Sequence, residues 1–510
     1  MARRLTCSFT RREWCAGLVA LLGGLAAGAC TTVSPREERD IGRKEAEKVQ
    51  RTVGLVDDPK VVEYVNAIGA RLGQAAARPD IGWQFAVADD PAANAFALPG
   101  GWVYVTRGLL ALANREDDLA AVLGHEMAHV IERHATSRVG AATPLAILFG
   151  VPSGILGTVS PTLGGIVGGA GRVVTGLALA PYSREQEREA DRVGIALSAR
   201  AGWDPGALVA FLQTLERAEA LAGSESKRSQ FFATHPSTPE RVANVEVMAR
   251  SLSRAPVDAI AGSRAAFLER VEGLVVGANA AHGVFVDRLF LHADFDLALE
   301  MPAGWKTANG PEAAGAAAPE GAAVVLLQVA GAGDDPVSAA RAEGLSEAQL
   351  QRVQRLEIAR LPAATLTAGT RDGDRLTFTW IAHRKRVFRV TGVTGDRDWE
   401  RYADVFARTA ATFRPLRSEE RQRIVESRLR IRAAGAGETV AQVVARGGTT
   451  WTAAQAAIVN GVAPDAKLER GWPVKVAVSE RYRGARGAQN ARPAQGNSGP
   501  DGATRRVSVA

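Results

Sequence analysis

The sequence predicts a multidomain chain: a mainly α domain with a small β-sheet, an α+β domain behind it, and a small module near the C-terminus. Three observations carry that prediction. A chain of 510 residues is too long for one hydrophobic core. Apolar residues recur at helical spacing through much of residues 38–254, and from about Ser263 the texture becomes strand-like. The composition, 46% hydrophobic and 23% charged, is globular.

The elements follow in order. Arginines precede an apolar run from Ala16 to Ala29 that ends in "AAGAC". It is too short to span a bilayer and suits a signal peptide over residues 1–29. Cys30, directly after Ala-Gly-Ala, resembles the lipidated cysteine of a bacterial lipobox, and "TRREW" (Thr10–Trp14) resembles a twin-arginine export signal. The expectation is an exported lipoprotein in the periplasm, held at the outer membrane by a lipid anchor on Cys30. Cys7, Cys15 and Cys30 are the only cysteines, so the folded body has no disulfide framework and no cysteine-based metal site. Of the formal charge of +7, Arg3, Arg4, Arg11 and Arg12 against Glu13 supply +3. Much of the rest sits in an arginine-rich C-terminal tail, so the body is near neutral and no nucleic-acid partner is expected.

Helical periodicity runs from about Glu38 to Ala76, and Phe85–Leu110 reads as strand, turn, strand. Asn114 with Asp117 reads as the N-cap of a helix holding "VLGHEMAHVIERH" (Val122–His134). Gly140 to Gly171 is uncharged but broken by Pro144, Pro152 and Pro161. It reads as an apolar lid or membrane-facing flap, with a transmembrane hairpin as the alternative. Ser183 and Gln186 form a capping box for the next helix, which Gly202 closes, and Asp204-Pro205 and Thr238-Pro239 start two more. The first domain is therefore expected over residues 30–254. Strand-like stretches and a closing amphipathic helix define an α+β domain over 263–416, interrupted by an Ala/Gly/Pro linker around Pro311–Gly321. A charged connector, a small unit over 437–476 and a disordered tail over 477–510 complete the chain.

The chemistry concentrates in the helix of Val122–His134. His125 and His129 are four apart on one helical face, so both imidazoles can reach one ion. Glu126 is displaced by about 100° around the helix, where it can hold a water beside the ion and take its proton, as in the HExxH pattern. His134, nine residues beyond His125, falls on the opposite face and reads as a surface or core-edge histidine. Zinc needs a further protein ligand. In "SREQEREADRVGIAL" (Ser183–Leu197), Glu185, Arg188, Glu189 and Arg192 share a solvated face. Glu187, Ala190, Asp191, Gly194 and Leu197 form an otherwise small, apolar stripe. Carboxylates buried in such a stripe need a cation or hydrogen-bond donors. A zinc ion for Glu187 and a ligand imidazole N–H for Asp191 would serve, and an internal salt bridge to an arginine is the alternative.

Four motifs in order, "NAFALPGG" (Asn94–Gly101), "GHEMAHVIERH" (Gly124–His134), "SREQEREADRVG" (Ser183–Gly194) and "THPSTPER" (Thr234–Arg241), give the segment Glu37–Leu252 its resemblance to a family of zinc peptidases. That family includes the CAAX prenyl proteases, mitochondrial Oma-type proteases, HtpX and periplasmic BepA. The resemblance implies a zincin-type domain with one Zn2+ per chain on His125, His129 and Glu187, Glu126 as catalytic base, and Asp191 orienting a ligand. It makes Asn94, Ala95, Phe96 and Ala97 part of an edge strand that binds extended substrate by strand addition. It places His235 near the metal, donating to the oxyanion or capping zinc in a closed, latent state; a helix-opening histidine beside Pro236 is the plain alternative. Residues 285–416 resemble the PsbP-like α/β fold. Gly437–Val476 resembles a degenerate LysM module, a class that binds peptidoglycan, although no strand is legible before Gly437. The implied function is an endopeptidase acting on unfolded or misassembled envelope proteins. The rival is a latent or chaperone-like scaffold with little turnover, against which an intact Glu126 speaks.

Overall fold

The computed structural model describes residues 33–134, 136, 181–222, 230–236, 238–369 and 373–484. The expected signal segment, Cys30, the apolar stretch 140–171 and the tail from 485 onward lie outside the described residues.

The first periodic stretch is two helices, α1 (Pro35–Thr52) and α2 (Pro59–Ala75), separated at Gly54, whose φ of 81° no other residue type adopts readily. Ser34 and Asp58 cap them, each followed by a proline in the first turn. β1 (Gln84–Ala88), β2 (Ala95–Leu98) and β3 (Trp102–Thr106) form a sheet of order β1-β3-β2, β1 parallel and β2 antiparallel to β3. Strand β2 therefore lies at an edge. A short α3 (Arg107–Leu112) leads into α4 (Glu116–Ile131), buried from Asp118 to Val130. The N-cap of α4 is Arg115 rather than Asn114. The carboxylate that ties the turn is Asp118, whose Oδ2 accepts from the backbone N–H of both Asn114 and Arg115, at 2.9 and 3.1 Å.

Helix α5 (Arg184–Arg200) opens on the expected Ser183–Gln186 capping box. It crosses α4 where Gly194 meets Gly124. A Cβ on Gly194 would lie 2.8 Å from the Cα of His125, so only glycine permits this approach. The close crossing is what brings carboxylates on α5 within reach of imidazoles on α4. Helices α6 (Ala207–Ala222), α7 (Gln230–Thr234) and α8 (Pro239–Arg250) pack around the pair. The core does not stop near residue 254. Phe267, Leu268 and Val271 of α9 (Arg264–Val271), and Leu274 beyond it, are buried in the same cluster.

The middle of the chain begins with β4 (Val284–Val286), β5 (Leu289–His292) and β6 (Leu297–Glu300). It continues through β7 (Lys306–Asn309), β8 (Ala313–Ala317), β9 (Ala323–Ala332), α10 (Pro336–Ala342) and α11 (Glu347–Leu350). Strands β10 (Gln354–Ile358), β11 (Leu361–Gly369), β12 (Asp374–His383) and β13 (Arg386–Gly395) precede α12 (Trp399–Ala411) and β14 (Arg414–Pro415). Seven strands form an antiparallel sheet of order β10-β11-β12-β13-β9-β8-β7. The strand period sends Trp380 to one face, under α10, and Ile381 to the other, with Phe406 of α12. The expected linker at Pro311–Gly321 instead holds β8, buried along its length because its alanines and glycine fit a crowded interior.

The charged connector is likewise ordered: α13 (Ser418–Arg423), then β15 (Val425–Ala433), α14 (Val440–Ala445), α15 (Ala453–Asn460) and β16 (Pro473–Arg481). β15 pairs antiparallel with β16 from Val425↔Arg481 to Ala433↔Pro473. It supplies the strand before Gly437 that the sequence did not reveal. The tail boundary expected at 477 falls inside β16. This βααβ unit is seated on the first domain. Lys475, fully buried, donates from Nζ to the carbonyls of Ala111, Leu112 and Ala113 at 2.7, 3.2 and 2.7 Å, at the end of α3. Among the described residues no helix is long and apolar enough to cross a membrane.

Candidate metal centre

His125 and His129 are wholly buried, and their Nε2 atoms converge to 3.1 Å. Glu187 of α5 lies against both: Oε2 is 3.6 Å from His125 Nε2 and Oε1 is 3.5 Å from His129 Nε2. His235, just past α7, brings Nδ1 to 3.3 Å from His125 Nε2 and 2.9 Å from Glu187 Oε1. One donor atom from each of the four residues lies within 4.8 Å of the other three. A tetrahedral zinc site with ligands at about 2.0–2.1 Å has donor–donor edges of about 3.3 Å. The imidazole and carboxylate spacings found here are close to those edges, and the nitrogen and oxygen donors are the kind zinc takes. The site fits the ion.

Its supports are equally buried. His125 Nδ1 is 3.0 Å from Asp191 Oδ1, which turns the imidazole's other nitrogen toward the cluster. Arg241, in the first turn of α8, grips Asp191 through Nε and Nη2, both at 2.8 Å, and lies 2.6 Å from Glu187 Oε2 through Nη1. The two ways of satisfying the buried acids, imidazole and arginine, thus operate together. Glu126 Oε1 is 3.3 Å from His235 Nε2, and neither Glu126 oxygen has a hydrogen-bond partner among the described residues.

Burial and charge set the protonation states. Burial pushes the Glu126 carboxyl above its ordinary value, against the pull of His235 and His125. Burial drives His129 well below its usual value, toward the neutral form that metal binding requires. Burial would also lower His125, but the Asp191 hydrogen bond and the Glu187 charge outweigh it and raise the group. Burial would raise Glu187 and Asp191, yet both are held below the usual carboxylate range. For Glu187 the charge of His235 leads; for Asp191 it is the charge and hydrogen bonds of Arg241.

The remaining sequence-derived residues divide. Glu185, Arg188 and Arg192 are exposed. Glu189 is not simply solvated: its Oε2 lies 3.3 Å from His134 Nε2. His134 is not on the opposite face. Helix α4 ends at Ile131, Arg133 takes a φ of 57°, and the chain doubles back to bury His134 with Nδ1 2.9 Å from His129 Nδ1. Helical spacing was carried past the end of the helix, where it no longer holds. Tyr182, ahead of α5, stacks on His129 at 3.7 Å. At the sheet edge, Asn94, Ala95 and Ala97 are buried and Phe96 stacks on Tyr104 at 4.8 Å, with α4 packed against β2. Arg241 carried no role in the sequence reading. The available signal was an arginine placed just inside a Thr-Pro helix start, six residues after His235.

A buried histidine pair on one helix, a carboxylate from a second helix, and a glutamate beside the first histidine define a zinc metallopeptidase domain. Residues 59–249 match Peptidase family M48, and over these residues the chain is similar to zinc metalloendopeptidases. It is similar to the mitochondrial metalloendopeptidase OMA1 of Schizosaccharomyces pombe, 36% identical over 187 residues, covering 36% of this chain and 51% of that protein. It is also similar to the beta-barrel assembly-enhancing protease of Yersinia pestis, 30% identical over 239 residues, covering 46% of this chain and 49% of that protein. The chain thus spans about half the length of these curated relatives. The solution structure of cyanobacterial PsbP from Synechocystis sp. PCC 6803 overlaps 28% of this chain and 99% of that chain, at 11% identity and a TM-score of 0.20, too low to assign a fold.

Proposed function

We propose that the whole protein is an exported zinc-dependent endopeptidase that hydrolyses unfolded or misassembled envelope proteins. The observation that carries it is the buried convergence of His125, His129 and Glu187 with Glu126 beside them. The relatives described as beta-barrel assembly-enhancing proteases support an envelope substrate. Bound zinc supplies Lewis acidity, activating water and polarising the scissile carbonyl. Glu126, whose carboxylate oxygens have no hydrogen-bond partner among the described residues, takes the water's proton and passes it to the leaving amine. A carboxyl whose pKa burial has raised suits both halves of that task. Asp191 holds His125 in the tautomer that leaves Nε2 free for the ion. Edge strand β2, with Asn94, Ala95, Phe96 and Ala97 in or beside it, offers backbone groups to an extended substrate.

His235 sits where a fourth ligand would, and a catalytic site keeps that position open. This arrangement is the closed form, and His235 withdraws for turnover. The same observation favours the second reading, a latent or chaperone-like scaffold, whose C-terminal unit would contact peptidoglycan while Cys30 carries a membrane anchor. Glu126→Gln separates the two. The variant is expected to keep one zinc per chain and to lose about 10²–10⁴-fold or more of its turnover on an unfolded protein. Retained turnover removes Glu126 from the mechanism. A wild-type chain that binds zinc but cleaves nothing, with or without chelator, supports the scaffold.

A further inference from the structure

Asp191 anchors one of the two ligand histidines directly, but nothing so far accounts for the other. An imidazole that ligates through Nε2 carries its hydrogen on Nδ1, and that N–H needs an acceptor that fixes the ring's tautomer and tilt. For His125 the group facing Nδ1 is a carboxylate oxygen at 3.0 Å. For His129 no carboxylate of the described residues faces Nδ1; the atom found there is Nδ1 of His134, at 2.9 Å.

We infer that His134 is a positioning residue for the metal centre, the anchor of ligand His129, and that Glu189 in turn orients His134. The hydrogen assignment follows from the ligand role, on which this inference rests. With His129 Nδ1 donating, His134 Nδ1 accepts and is unprotonated. The ring hydrogen of His134 then sits on Nε2, which faces Glu189 Oε2 at 3.3 Å. The chain of contacts runs from the ligand His129 through His134 to Glu189, and only its last member reaches solvent. Glu189 has 45% of its side chain exposed and His134 only 6%, so the relay starts in the buried centre and ends at the surface. Arg192, 3.8 Å from the other Glu189 oxygen, stands beside the terminal carboxylate. Tyr182 closes the flat side of His129 by stacking at 3.7 Å, which leaves the ring's edge nitrogens as its remaining means of orientation. The two residues are thus held differently: one by a carboxylate shared with Arg241, the other by an imidazole.

The test compares two substitutions of similar shape in the full chain. Asn carries Oδ1 where His134 carries Nδ1 and still accepts from His129, whereas Leu fills the space with no acceptor. Zinc affinity is read by competition with a chromophoric chelator, and the visible spectrum of the cobalt-substituted protein reports the ligand field. His134→Leu is expected to weaken zinc about 10–100-fold and to alter the cobalt spectrum, and His134→Asn to stay within about threefold of wild type. The melting temperature of the metal-free chains controls for folding. Equal zinc affinity in the two variants, or better retention by Leu, overturns the inference, because packing alone would favour Leu at this buried position. A wild-type chain that binds no zinc, or a Glu187→Ala chain that still does, would instead overturn the ligand assignment.

Discussion

Arg241→Met keeps much of the side-chain volume and deletes the positive charge that two buried carboxylates share. Arg241 is 4% exposed, Glu187 2% and Asp191 1%, so water cannot substitute for it. Asp191 would keep only His125 Nδ1 at 3.0 Å, and Glu187 the His235 Nδ1 at 2.9 Å and the more distant ligand imidazoles. Removing one partner of a buried ion pair costs about 3–5 kcal/mol. Each acid retains at least one partner, so the lower figure applies, about 3 kcal/mol. At about 2–4 °C per kcal/mol for a domain of this size, the metal-free variant should melt about 6–12 °C lower. Zinc replaces part of the lost positive charge beside Glu187, so zinc should raise the melting temperature more in the variant than in wild type. Calorimetry of the full chain, with and without zinc, follows the transition that zinc shifts. Arg241→Lys should recover only part of the loss, because an ammonium cannot reproduce the two-pronged grip on Asp191. A metal-free Met variant melting within about 1 °C of wild type would refute the shared-cation account, since the smallest cost predicted is several degrees.

Glu187→Ala should abolish stoichiometric zinc together with activity, while Asp191→Ala weakens zinc about 10–100-fold without abolishing the site. Glu185→Ala, on the exposed face, should leave zinc content intact and change stability by less than about 0.5 kcal/mol; zinc loss there would mean the face assignment of α5 is wrong. Cys30→Ala should move the protein from the membrane to the soluble envelope fraction, and a wild type already soluble after fractionation would discount the lipid anchor. The hydrogen bonds from Arg414, at 2.8 and 2.6 Å, lead in holding the Glu420 carboxyl down to about 2 from its usual 4.5. A depressed carboxyl stabilises the fold above its unfolded pKa and loses that contribution as pH falls through the folded value, so Glu420→Gln should flatten acid destabilisation between about pH 4.5 and 2. An unchanged slope would mean the pair contributes nothing.

What was legible and what was not divides along one physical line. The four-residue spacing of His125 and His129, and the stripe that sorted Glu187 and Asp191 from Glu185, depend on the period of a single helix, which is written in the sequence itself. The features that escaped depend on where that period stops or on contacts between distant segments. His134 was placed by continuing α4 beyond Ile131, and only the backbone reversal at Arg133 shows that it returns to His129. Alanine and glycine in β8 read as a linker because small residues lack strand propensity, yet they suit a strand walled in on both faces.

The packing between the expected domains was hidden for a related reason. A change of pattern marks where secondary structure changes, not where packing ends. Residues 264–274 follow the expected break but fill the peptidase core with Phe267, Leu268, Val271 and Leu274. The C-terminal unit has its own small core around Val440, Val443 and Val474, as a separate module should. Leu429 of its first strand nevertheless enters the peptidase core, and Lys475 spends its charge on three carbonyls at the end of α3. Arg264 completes the junction, donating to Asn114 Oδ1 at 2.6 Å and to Asn460 Oδ1 at 2.9 Å. Asn460 belongs to the Asn-Gly pair on which the resemblance to a wall-binding module rested, and its side chain is occupied here with Ala456, Lys475 and Arg264. A lysine that caps a helix in another domain looks, in sequence, like any strand lysine. Its burial exposes the join: the last fold of the chain is built into the peptidase body, and the helix that carries His125, Glu126 and His129 starts within a few residues of the contact.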